Sequence, residues 1–93
     1  MKPKQLKIGG RIIDVQFVDG EENFPDGEMG LSFIQRGLIK IDNTMEEEFQ
    51  KQVLLHEILE FINDMFELKL EHYKITCLET ALYQVLKDNK LKF

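Results

Sequence analysis

The chain has 93 residues, 43% of them hydrophobic and 31% charged, with a formal net charge of -5. That length makes one domain, residues 1–93, with a single core that stands without staples, and the composition is that of a folded, soluble globule. The acidic balance, with no massed Lys/Arg patch, argues against nucleic acid as a partner. Cys77 is the only cysteine, which excludes an intrachain disulfide and points to a reducing cytoplasm. No apolar run approaches membrane length, and the start, Met1 to Lys7, lacks the apolar centre of a leader peptide, so a cytoplasmic, unprocessed protein is expected.

Taken in order, residues 6–18 predict a β-hairpin. Gly9-Gly10 can both adopt positive φ, which a two-residue type I′ turn requires, and Ile13, Val15 and Phe17 alternate with Asp14 and Gln16. From Asp19 to Gly30 the chain is acidic and broken by Gly20, Pro25 and Gly27, a solvated connector whose carboxylates lack the alternate spacing of a calcium loop. A second hairpin is expected over residues 31–41, with Ser32–Ile34 and Leu38–Ile41 as arms and Gly37 at the turn.

A helix follows. Thr44 and Glu47 fit a capping box, and Glu46, Glu47 and Glu48 suit the positive end of the helix dipole. Leu54, Leu55, Ile58, Phe61, Ile62, Met65 and Phe66 form its apolar arc, while His56, Glu60 and Asn63 fall outside it, in line with Phe49. A second helix runs from about His72 to about Asp88, with Ile75, Leu78, Leu82, Val85 and Leu86 as its buried side and His72, Thr76, Glu79 and Tyr83 as a neighbouring stripe. Lys87, Lys90 and Lys92 fall at its C-terminal end, which favours cations. The expected fold class is α+β: a small antiparallel sheet of two hairpins, three or four strands, followed by two packed helices.

The chemistry concentrates in His56-Glu57-Ile58-Leu59-Glu60. On a helix His56 and Glu60 lie one turn apart on one side, so both tips reach one point, and Glu57 sits about 100° further round. This is the zinc helix of metallohydrolases, His-Glu-x-x-His, with a carboxylate for the second imidazole. A hydrolytic zinc needs a third protein ligand and one open position. His72, the only other histidine, would complete a set of two imidazoles and one carboxylate, provided the second helix starts over the site. Glu79 is the rival third ligand, because a tight antiparallel helix pair brings it level with Glu60. Imidazole is the commoner ligand, and His72 is preferred on that ground. In such a site Glu57 is the general base. A His–Glu pair four residues apart is also an ordinary helix-surface contact worth a few tenths of a kcal/mol (about 0.2–0.5). Cys77 reads as a plain thiol, and Tyr83 or Tyr73 as a packed tyrosine or as a hydrogen-bond donor to an oxyanion.

The layout of nearly the whole chain, and the local runs Leu54-Leu55-His56-Glu57-Ile58-Leu59-Glu60 and Ala81-Leu82-Tyr83-Gln84-Val85-Leu86-Lys87-Asp88, resembles the minigluzincins, small gluzincin-type zinc metallopeptidases that include phage and prophage members. The resemblance implies a zincin-like fold in which a sheet precedes the motif helix, with His56 as the first zinc ligand and Glu57 as the base. Glu60 stands where that family has its second histidine, and the family's glutamate on the following helix has His72 and Glu79 as possible counterparts. The expected function is a zinc-dependent peptidase acting on a peptide or protein, with the Leu38–Ile41 strand as the edge that holds an extended substrate. The alternative is a catalytically inactive, metallopeptidase-like interaction module, of phage or other origin, that keeps the fold with or without metal; with no metal bound, a helix-paired dimer remains.

Overall fold

The computed structural model describes residues 2–92. Strands β1 (Gln5–Ile8) and β2 (Arg11–Val18) form the first hairpin. Gly9 and Gly10 take φ of 55° and 85°, the doubly left-handed turn that sets Ile8 against Arg11. Ile13 and Val15 are buried and Asp14 and Gln16 exposed, as the alternation requires. In the connector that follows, Phe24 turns inward and is buried. Strands β3 (Gly30–Phe33) and β4 (Leu38–Asp42) form the second hairpin.

The strand order is β1-β2-β4-β3, and β2 and β4 run parallel, with Val15 beside Ile39 and Phe17 beside Ile41. The sheet is therefore mostly antiparallel around one parallel pair at its centre. Burial explains the arrangement. Leu38, Ile39 and Ile41 are all buried, a near-continuous apolar run of the kind that parallel, fully covered strands carry. The half-buried β3 takes the edge instead. The edge expected at Leu38–Ile41 is thus an interior strand.

Helix α1 (Glu47–Met65) packs on the sheet through buried Val53 and Phe61, with Leu54, Ile58, Ile62 and Met65 around them. The capping box does not form. Asp42 Oδ1 captures both the Thr44 amide (2.9 Å) and its hydroxyl (2.7 Å), and Glu46 becomes the N-cap with no side-chain cap bond. Buried Gln50 ties the helix start down instead, donating to the Met45 carbonyl at 2.7 Å. Phe66, beyond the last turn, is exposed rather than part of the apolar arc.

Among the described residues, helix α2 (His72–Asp88) packs on α1 and on no strand. Its expected buried side is buried only at Ile75; Leu78, Leu82 and Val85 are 42%, 40% and 42% exposed. The stripe of His72, Glu79 and Tyr83 meets α1 instead. The reason lies in the layering: the sheet is covered by α1, so nothing else lies beneath the apolar side of α2. No described helix is long and apolar enough to cross a membrane.

Candidate metal centre

Whether His72 can meet Glu60 depends on how the chain reverses between the helices. The connector, residues 66–71, contains Glu67 and Lys69 at φ of 52° and 58°. Asn63 clamps its far end: the Asn63 amide donates to the Leu70 carbonyl (3.1 Å) and accepts from the Leu70 amide (2.9 Å). The reversal is tight enough that α2 begins level with Glu60 and runs back antiparallel. His72 falls beside Glu60, Glu79 beside Gln52 and Tyr83 beside Glu48.

One carboxylate oxygen is the focus. Glu60 Oε2 lies 3.4 Å from His56 Nε2 and 3.1 Å from His72 Nδ1. The two rings meet edge to face, with centroids 5.0 Å apart. All three donor atoms lie within 4.8 Å of one another, so a single ion could be held by His56, Glu60 and His72. Ligand atoms about 2.1 Å from a tetrahedral ion stand about 3.4 Å apart, which the two short separations approach. The donor set, two imidazoles and a carboxylate, also suits a divalent transition metal with one position left over.

Glu79 is drawn in, but by a different atom. Its Oε1 lies 3.2 Å from His56 Nδ1, and its other oxygen accepts from the Gln52 side-chain amide. A carboxylate in that place can accept Nδ1–H and so leave Nε2, on the Glu60 and His72 side, free to bind an ion. The rival third ligand thus stands behind His56 as its orienting partner. His56 is well sheltered, its side chain 15% exposed, whereas that of His72 is 72% exposed.

Glu57 lies beside the cluster, buried under the start of β3. Its Oε1 accepts a hydrogen bond from Ser32 Oγ at 2.7 Å. Burial pushes the Glu57 carboxyl above the usual range, against the opposing pull of the Ser32 bond and of nearby His56. Gly30 makes this approach possible: a Cβ there would stand 2.6 Å from Val53 Cγ1 and 3.0 Å from Glu57 Oε2. Two cavities of about 310 and 440 Å³ flank the cluster. Both are lined by Gly30, His56, Glu57 and His72, and together they form a trough along β3, with Met29 and Phe49 at one end and Asn63 and Asp64 at the other.

The two tyrosines and the cysteine stand elsewhere. Tyr83 donates to the Glu48 carboxylate, which holds that carboxyl below its usual range; burial, with Glu48 beside it, pushes the Tyr83 phenol up to about 12. Tyr73 is exposed, and neither tyrosine lines the trough. Cys77 is exposed and outside the cluster. The residues that sequence reasoning missed are Ser32, Gly30 and Gln52, which support the site from a strand or from a helix flank without a motif of their own. No protein-family model, curated protein or solved structure matches the chain, and the site's own geometry carries the functional reading.

Proposed function

We propose that the protein is a zinc-dependent metallopeptidase of the minigluzincin kind, with His56, Glu60 and His72 as metal ligands and Glu57 as general base. The observation that supports this most directly is the convergence of two imidazole nitrogens on one oxygen of Glu60, at the floor of a trough beside an edge strand. When bound, zinc would supply a Lewis acid and acidify water in its open position to a pKa of about 7. The chain's own residues do the rest. Ser32 occupies one oxygen of Glu57 and leaves Oε2, on the Gly30 side, to take a proton from water and return it to the leaving amine. Burial favours protonated Glu57 and so strengthens it as a base. β3 has a strand on one side only, so an extended peptide could add along its other edge, with its carbonyl brought over the cluster.

A second reading rests on the cluster's completeness without a metal. Both nitrogens of His56 face carboxylates, Glu60 and Glu79, and Glu60 also meets His72, a network that an imidazolium would satisfy. On that reading the protein is an inactive, peptidase-like interaction module. Metal analysis and a cleavage assay separate the two. The peptidase requires about one zinc per chain, lost in His56→Ala and in His72→Ala. Glu79→Gln should keep the metal and bind it about 10–100-fold more weakly. Glu57→Gln should keep zinc and stop cleavage of an unstructured protein. A zinc-loaded wild type that cuts no unstructured protein gives the site to the module.

A further inference from the structure

The side of α2 turned away from the trough carries exposed apolar residues beside the one that α2 buries, Ile75. Ile75, Leu78, Leu82 and Val85 are spaced three, four and three residues apart, the a/d seam of a coiled coil, ended by Glu71 on one side and Asn89 on the other. Leu78, Leu82 and Val85 are exposed and line neither cavity of the trough. Along one flank of this seam, seven residues apart, lie Lys74, Ala81 and Asp88, all exposed. Lys74 sits in the first turn of α2 and Asp88 at its last residue. Each is placed against its own helix dipole, which favours anions at the N-terminus and cations at the C-terminus.

We propose that this face is the interface of a symmetric homodimer in which α2 pairs antiparallel with α2 of a second copy. A two-fold interface must be complementary to itself, and this face is. Antiparallel pairing sets Leu78 against the other copy's Leu82 and lays Val85 over the end of the helix where that copy's Ile75 is already buried. It brings Lys74 to the other copy's Asp88 at both ends, each beside a helix terminus of favourable sign. Ala81 meets its own counterpart on the axis, where a small side chain lets the backbones approach. Parallel pairing would instead direct Lys74 to Glu79, which is buried and held by Gln52 and His56. The result is a four-helix layer of two α1–α2 pairs with both troughs facing outward. It does not depend on the metal or on peptidase activity.

Sedimentation velocity of the full chain over a range of concentrations tests this. The wild type should be a reversible dimer, and Leu82→Glu should be monomeric with an unchanged circular dichroism spectrum, since residue 82 is already partly in water. Lys74→Glu and Asp88→Lys should each weaken the dimer by at least tenfold, and the double variant should recover it. In a Cys77→Ser background, Ala81→Cys should oxidise to a disulfide-linked dimer. A wild type that is monomeric at every concentration overturns the proposal. So does a dimer that survives Leu82→Glu, or a charge swap that restores nothing.

Discussion

The two helices differ in what holds them. α1 is fixed by hydrophobic burial: Phe61 and Val53 close the same cluster as Ile13, Ile39 and Ile41. α2 buries a single apolar side chain, Ile75, and otherwise meets α1 through polar groups, Glu79 to Gln52 and His56, His72 to Glu60, and Tyr83 to Glu48. The lesson is a division of labour across the candidate site. His56, Glu57 and Glu60 stand on the part of the molecule that the core immobilises, and His72 arrives on the part held mainly by the site's own contacts. A bound ion would therefore do more to fix α2 than α1.

The difference can be broken at several points. Phe61→Ala, at a fully buried position, should cost about 3–5 kcal/mol in denaturant unfolding and affect both helices together. Gly30→Ala should cost about 1–3 kcal/mol, because the added methyl meets Val53 and Glu57 and pushes β3 off α1. It should also lower any cleavage activity more than it lowers metal affinity. Asn63→Ala removes both bonds to Leu70 and should cost about 1–2 kcal/mol. Amide exchange should then quicken through α2 while the Phe61 region of α1 stays protected; equal acceleration in both would show that they form one cooperative unit.

The smallest effect is at alkaline pH. Tyr83 has its phenol pushed from 10.0 to about 12 by burial and by Glu48. A raised folded-state pKa stabilises the neutral form, so this contribution is complete below about pH 10 and is lost as pH rises through about 12. In a Tyr73→Phe variant the phenolate absorbance should titrate near that upper value, and Glu48→Gln should bring the midpoint down.

What could be read beforehand was what local periodicity determines. The Gly9-Gly10 turn, the alternation of β2 and the placing of His56 and Glu60 on one side of α1 each depend on neighbours in sequence, and each is present in the structure. Strand order was not legible, because the choice of β4 over β3 for the interior is made by burial against β2, far away in the chain. The Thr44 cap is absent because α1 begins later, with Glu46 as N-cap, and the Thr44 hydroxyl donates back to Asp42. On α2, periodicity showed which side is apolar without showing whether anything covers it. The register of His72 against Glu60 depends on Asn63 gripping Leu70, a contact with no sequence signature. Ser32 and Gly30 reach Glu57 from the edge strand, where nothing in a run of Gly-Leu-Ser announces a partner on a helix.

The main buried cluster draws all its members from residues no later than Met65, whereas His72 comes after it. Local opening follows such lines of contact, so α2 can detach while the sheet and α1 stay packed around Phe61. In that opened form His56 and Glu60 keep their places on α1 while His72 moves off with α2, so the three-residue cluster comes apart at a single member.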